Sequence, residues 1–449
     1  MTLNNNNNNL MGKLVSLAKR RGFIFPGSEI YGGLQNSWDF GPLGVELKNN
    51  IKQAWWKRFV HNREDIVGLD SSLLMNTKVW EASGHLKNFS DALVECKDCH
   101  TRYKVEELTT DKAGYVCANC KSRNFTLPKS FNLMLKTFLG SAEDLTSLVY
   151  FRPETAQGIF VNFKNILDTT RKELPFGIAQ VGKAFRNEIT PGNFIFRTRE
   201  FEQLEIEYFI REKDWQKHFE IWRGEMLSWI GYLGIDVKNE IRELEVPEKE
   251  RAHYSKRTID FEYKFPFGIR ELYGLAYRTD FDLKNHGEKS GENLKYRDWE
   301  TGEEFYPHVI EPSFGVERSI LAAMCSAYTE EPAPTGEEGK TDIRIVMKFP
   351  KWLSPIKVAV LPLSKKENLS GLARKVYLEL KNHFVSEYDE TQSIGKRYRR
   401  EDEIGTPYCV TVDFDSLEDK AVTVRDRDTM KQERIAVGDL VNYLKEKLE

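Results

Sequence analysis

Four cysteines stand in two C-x-x-C pairs, Cys96/Cys99 and Cys117/Cys120, with seventeen residues between the pairs. Four thiolates at that spacing can close a tetrahedral shell around a zinc ion, leaving no open position for catalysis. The chemistry expected there is structural. A metal-held, ribbon-like insertion would occupy 96–128, a stretch with too few apolar residues for a core of its own. Cys325 and Cys409 stand alone. The N-terminus shows neither a basic n-region nor an apolar h-region, so the paired cysteines read as metal ligands rather than disulfides, and a cytoplasmic location is expected.

A second group mixes guanidinium, carboxylate and aromatic side chains. An extended pattern around Val181–Glu188 predicts a strand, whose alternation points Arg186 and Glu188 the same way. A loop with turn chemistry follows, Ile189-Thr190-Pro191-Gly192-Asn193, and then a partner strand. In that strand Phe201, Gln203, Glu205 and Glu207 share one face, with Leu204, Ile206 and Tyr208 on the other. A third segment, HVIEPSFGVERSILAAM, puts Val309, Glu311 and Ser313 on one strand face before a helix whose buried stripe is Ile320, Ala323, Met324 and Ala327. Arg318 falls in the first turn of that helix, where the partial positive charge of the helix end adds to its own in attracting an anion. A hairpin with one charged face can be plain solvent exposure. The third segment, adding Glu, Ser and Arg at a strand–helix junction, points instead to a ligand site.

These residues need elements to hold them. The run LGVELKNNIKQAWWKRFV after Pro42 repeats Leu43, Leu47, Ile51, Ala54, Trp55 and Phe59 at three and four, which predicts a long amphipathic helix with Pro42 in its first turn. Residues 329–341 are rich in Pro, Gly and Glu and read as a linker or exposed loop. Beyond them IKVAVLPL (356–363), PYCVTVDF (407–414) and KAVTVRDRD (420–428) alternate with helical patterns, which predicts a separate α/β domain. The start, TLNNNNNN, is low in complexity and reads as disordered or tag-like, with order beginning near Met11. The organisation expected is 1–10 disordered, 11–95 with 129–349 as an α+β domain, 96–128 as the insertion, and 350–449 as the C-terminal domain.

The bulk numbers are compatible with this. A chain of 449 residues is too long for one core, and 40% apolar with 30% charged residues is an ordinary globular composition. No apolar run approaches the roughly eighteen residues that a membrane span needs. A net charge of −3, from 66 basic and 69 acidic residues, leaves a nucleic-acid partner open. Lys396-Arg397-Tyr398-Arg399-Arg400 is a basic run that is either a solvated face or an RNA contact.

Phe185-Arg186-Asn187-Glu188 with Arg197-Thr198-Arg199-Glu200-Phe201 resembles motif 2 of the class II aminoacyl-tRNA synthetases. Gly315-Val316-Glu317-Arg318 resembles motif 3, and the helix after Pro42 resembles motif 1. Longer strings resemble the glycyl-tRNA synthetase branch: WEASGHLKNF (80–89), FRPETAQGIF (151–160), FRTREFEQLEIEYF (196–209), RTDFDL (278–283) and EPSFGVERS (311–319). SIGKRYRREDEIGTPYCVTVDF (393–414) resembles the anticodon-binding domain of that branch. Threonyl and prolyl enzymes would share the motifs without these strings. A non-catalytic paralogue, such as a polymerase accessory subunit, would be expected to lose Arg186, Glu188, Phe201 and Arg318.

The resemblance implies an antiparallel sheet flanked by helices, ATP and Mg²⁺ chemistry, and a homodimer acting on glycine and its tRNA. Arg186 would hold the α-phosphate of ATP and the glycine carboxylate, with Arg318 its catalytic partner reaching the γ-phosphate. Glu188 and Phe201 would take the adenine, with Asn187, Phe196, Arg197, Thr198, Arg199, Glu200, Glu271, Leu272, Gly315, Val316 and Glu317 around ATP. Glu154, Glu205, Glu311 and Ser313 would surround the glycine ammonium, with Arg102, Phe201, Glu202, Gln203, Leu204, Pro312, Phe314 and Gly315 nearby. No protein nucleophile is expected.

Overall fold

The computed structural model describes residues 4–105, 108–111, 114–189, 192–334 and 341–448. Helix α1 (Asn4–Arg21) leads into α2 (Pro42–Trp56), which carries Pro42 in its first turn and continues in one wider turn, Lys57–His61. The asparagine run is thus helical from Asn4, where low complexity predicts disorder up to residue 10.

A seven-stranded sheet forms the body of the chain. Its strands are β1 (Ile66–Gly68), β2 (Phe176–Phe185), β3 (Glu200–Ile210), β4 (Ile241–Glu245), β5 (Arg257–Phe265), β6 (Gly268–Thr279) and β7 (His308–Gly315), in the order β4-β5-β6-β7-β3-β2-β1. All neighbours are antiparallel except β2 and β1. The alternation along β3 and β7 decides what covers each face. Leu204, Ile206, Tyr208, Ile310 and Phe314 point into a large core with Leu47, Ile51 and Trp55 of α2 and Phe59 just after it. The same core takes Trp222 and Trp229 of α4 (Trp215–Tyr232) and Ile320 of α6 (Val316–Ala327).

The opposite face is divided along its length. At one end Phe209 and Val309 are covered by Ile159, Phe160 and Phe163 of α3 (Ala156–Thr170) and Leu283 of α5 (Phe281–Ser290). At the other end the same face carries Gln203, Glu205, Glu311 and Ser313, which line a cavity instead of a core. One sheet face therefore changes from apolar packing to a polar floor within a few residues.

Cys96 and Cys117 are buried in a small three-stranded unit in which Ser90–Glu95 pairs with Arg102–Lys104 and Lys129–Asn132. The expected linker at 329–341 is instead mostly paired: Tyr328–Pro334 lies antiparallel to Thr341–Met347, while 335–340 fall outside the described residues. Proline and glutamate composition predicts a loop here, but tertiary pairing overrides it.

The C-terminal unit is a five-stranded sheet, β8 (Val358–Pro362), β9 (Ser386–Tyr388), β10 (Tyr408–Val412), β11 (Ala421–Asp426) and β12 (Gln432–Ala436), in the order β9-β8-β10-β11-β12. Helices α7 (Glu367–Lys381), α8 (Ile394–Ile404) and α9 (Leu440–Leu448) flank it. Its core is its own, with Val358, Val360, Leu380, Val410 and Leu444 fully buried. Among the described residues no helix is long and apolar enough to cross a membrane.

Candidate active site

The polar end of the sheet face is a lattice set by strand register. Glu205 of β3 lies opposite Ser313 of β7, Ser313 opposite Gly274 of β6, and Gly274 opposite Asp260 of β5. Beside that row, Glu311 faces Ala276 and Ala276 faces Thr258. Two adjoining cavities open above the lattice, one of about 160 Å³ and one of about 240 Å³, and Arg186, Gln203, Glu271 and Ser313 belong to the lining of both.

The first cavity is edged by cations and aromatics. Strand β2 stops at Phe185, so Arg186 and Glu188 sit on an irregular turn, where the Glu188 amide donates to the Arg186 carbonyl at 2.7 Å, and both still line this cavity. The Arg186 guanidinium lies between the Phe201 and Phe89 rings, at 5.2 and 5.3 Å, and its Nε donates to the Pro153 carbonyl at 3.1 Å. Arg318 lies over the Phe196 ring at 4.6 Å and pairs with Glu271 at 3.1 Å. The Arg318 guanidinium holds the Glu271 carboxyl below its usual range. Arg197, Thr198, Leu272, Gly315 and Glu317 also line this cavity. The Glu317 carboxylate accepts from Lys48 of α2 at 2.9 Å and from the Glu202 amide at 2.8 Å. That clamp ties the start of α6, and hence Arg318, to β3.

The second cavity has a floor of carboxylates. Glu205 accepts from Ser313 at 3.0 Å and from the Thr155 hydroxyl. Glu154 pairs with His85 at 3.2 Å and accepts from Gln157 at 3.1 Å. Glu311 pairs with Arg278 at 2.5 Å, and Arg278 also holds Asp282 through two bonds of 2.8 and 2.9 Å. Arg278 is fully buried, with the Tyr254 ring 3.7 Å from its guanidinium carbon. Beneath them Glu207 is fully buried, and neither of its oxygens finds a hydrogen-bond partner.

Burial opposes ionisation across this cluster. It pushes Glu311 up to about 8 against the pull of Arg278. Glu205 is raised by burial and then by Glu154, while Glu207 is held well above the carboxylate range by burial and then by Glu311. At Glu154 burial is outweighed by His85 and Arg278, which hold the carboxyl low. Five carboxyl groups thus surround one permanent cation, an arrangement that a bound ammonium would complement.

Several residues expected at the site lie elsewhere. Arg102 is exposed, pairs with Glu95 at 2.9 Å and lines neither cavity. Glu202 lies on the opposite strand face, paired with Lys48 at 3.0 Å and Lys52 at 2.9 Å. Leu204 and Val316 belong to the core on that side and Pro312 is buried opposite Leu275, whereas Phe314 belongs to that core and also lines the first cavity. Asn187 is tied by its amide to the Leu133 carbonyl at 2.7 Å, Arg199 reaches the Glu188 and Gln35 carbonyls, and Glu200 pairs with Lys183. Alternation accounts for the even-numbered residues of β3: proximity in sequence to Glu205 puts half of its neighbours on the wrong face. Conversely, Arg278, Asp282, Tyr254 and His85 build the floor, although their positions in the sequence alone assign them no role. Arg278 and Asp282 stand in RTDFDL and His85 in WEASGHLKNF, so the signal was within the quoted strings.

In the insertion the four sulfurs lie within 4.8 Å of one another, with Cys96–Cys120 and Cys99–Cys117 both at 3.5 Å. Sulfurs placed ~2.3 Å from a tetrahedral zinc ion stand ~3.8 Å apart, so this donor set fits such an ion.

The family model of the tRNA synthetase class II core domain (G, H, P, S and T) matches residues 141–327, and that of the anticodon binding domain matches 357–447. With the antiparallel sheet and its paired cavities, this defines a class II tRNA synthetase core joined to an anticodon-binding domain. The same architecture occurs in a prolyl-tRNA synthetase from Cryptosporidium parvum solved with halofuginone and AMPPNP, with a TM-score of 0.66 at 15% identity, covering 97% of this chain and 76% of that one. A glycine--tRNA ligase of Acetivibrio thermocellus is 53% identical over 98% of both chains. One of Staphylococcus aureus (strain JH9) is 52% identical over 97% of this chain and 98% of its own. The chain belongs to the glycine--tRNA ligase family.

Proposed function

We propose that the chain activates glycine with ATP and loads it onto the 3′ end of tRNA(Gly). The observation that carries this reading is the pairing of an anionic, buried floor with a cation-edged cavity across the shared Arg186. A zwitterion seated between them puts its ammonium over Glu205, Glu311 and Glu154 and its carboxylate toward Arg186. ATP in the first cavity would stack its adenine between Phe201 and Arg318, offer its amino group to Glu188 and bring its α-phosphate to Arg186. A planar guanidinium suits both oxyanions at once.

The glycine carboxylate then attacks the α-phosphorus in line and pyrophosphate leaves. In the second step the terminal ribose hydroxyl of the tRNA attacks the carbonyl carbon of glycyl-adenylate and AMP leaves. Neither step needs a protein nucleophile. This chain's part is to position the groups and to stabilise the charge that develops on the transferring phosphate, through Arg186 and Arg318. Mg²⁺, held by phosphate oxygens and water, would neutralise charge on the departing pyrophosphate. The four cysteines would hold a structural Zn²⁺. A cytosolic homodimer paired across α2 completes the reading.

The test is amino-acid-dependent exchange of pyrophosphate into ATP, run with all twenty amino acids. Exchange with glycine alone is expected. Exchange with a different amino acid would overturn the reading of the anionic pocket, and none at all would make the chain non-catalytic.

A further inference from the structure

Gly274 occupies the middle of β6, between Ser313 of β7 and Asp260 of β5. Glycine weakens a strand interior and marks either a bend or a place where something approaches the backbone closely. Neither conformation nor packing asks for it here: the register irregularity between β5 and β6 falls at Leu272, two residues away. Gly274 is not among the glycines with left-handed backbone, and a Cβ built on it would meet nothing nearer than Asp260 Oδ1 at 3.9 Å and Glu271 Oε1 at 4.0 Å. Two glycines of β2 contrast with it. A Cβ on Gly177 would come within 3.0 Å of Tyr208, and one on Gly182 within 2.2 Å of Arg152 Nη2, so packing explains both. The space that a Cβ on Gly274 would enter belongs to the second cavity, which Gly274 lines together with Glu205, Glu311 and Ser313. It does not line the first.

We propose that Gly274 positions the amino acid by leaving the floor bare, so that the Cα and carboxylate of a small amino acid lie directly against the backbone of β6. The proposal rests on the reading of the second cavity as the amino-acid pocket. The register supports it: Ser313 and Glu205 continue the same row, so a substrate whose ammonium is held there has its Cα next to Gly274. A methyl group on Gly274 would take that room while leaving the nucleotide cavity unchanged.

The experiment is Gly274→Ala, measured by pyrophosphate exchange with glycine and ATP varied in turn and by thermal unfolding. The expected result is a KM for glycine raised roughly tenfold or more, as for a steric clash in a small pocket. The KM for ATP should stay within roughly twofold, with an unfolding temperature equal to or above that of the parent. A glycine KM within roughly twofold of the parent's would overturn the close approach. An equal rise in both KM values would overturn its assignment to the amino acid rather than the nucleotide. A clearly lower unfolding temperature would show that the fold itself needs glycine there. Lack of glycine-dependent exchange in the unaltered chain is a separate result, which removes the activation reading instead.

Discussion

Arg186 illustrates how much one side chain carries. Its guanidinium forms part of the wall between two cavities of opposite electrostatic character, is flanked by two rings and is held by one carbonyl. Little of the fold leans on it, so Arg186→Ala should unfold at nearly the parent temperature while losing roughly 10²–10³-fold in pyrophosphate exchange. Arg186→Lys should recover only a small part, because a compact ammonium cannot bridge two oxyanions as a planar fork does. Near-normal exchange in the Ala variant would remove the role given to this residue. Glu207 works in the opposite sense. Fully buried without a partner, it is most cheaply carried as a neutral acid, which limits the negative charge that the floor can present.

Helix α8 shows how an element redefines its residues. The basic run at 396–400 reads in sequence as either a solvated face or an RNA contact. In the structure Arg397 is buried and donates to the Pro362 and Asp389 carbonyls, Arg400 pairs with Asp389, and Tyr398 meets the Thr411 hydroxyl at 2.5 Å. Most of the run is therefore spent on internal contacts. The next residue, Glu401, is buried against Thr406, and burial, followed by Glu387, pushes its carboxyl up to about 8. The folded chain keeps this proton where the unfolded chain has released it. Stability from Glu401 is therefore complete below the ordinary carboxylate range and is lost as pH rises toward 8. Glu401→Gln should flatten that decline and leave the C-terminal unit more stable than the parent above pH ~8, on the order of one to a few kcal/mol. Parallel pH profiles for parent and variant in denaturant unfolding would contradict it.

At the scale of the whole molecule, the large core on one face of the main sheet and the separate core of the C-terminal sheet are both apolar and extensive. The cysteine unit differs: Val94, Cys96 and Cys117 are buried but belong to neither core. A unit with so little apolar packing would depend on a metal held by its four cysteines. Protein purified without chelator should contain one zinc ion per chain. Chelation should increase proteolysis within 96–128 while the main unfolding transition stays in place. Metal analysis finding no zinc would remove the ribbon's metal, and a collapse of the main transition on chelation would show that the unit supports the whole fold.

The paired faces of β3 and β7 were legible in the sequence because alternation is a property of the local backbone: Glu205, Glu311 and Ser313 could be placed on one polar side, the side that lines a cavity, without knowing which strands meet. The cysteine cluster was legible for a similar reason, since its four thiols lie within one short stretch. Register between distant segments is not local. Nothing near Glu311 announces that Arg278 will reach it at 2.5 Å, that Gly274 will lie opposite Ser313, or that Lys48 will clamp Glu317. Those pairings depend on which faces the apolar residues of α2, α4 and α6 bury together, and only the folded chain decides that. The same limit explains Arg102, Glu202 and the run at 396–400: each has the residue type a site would use, and tertiary packing turned it to other partners.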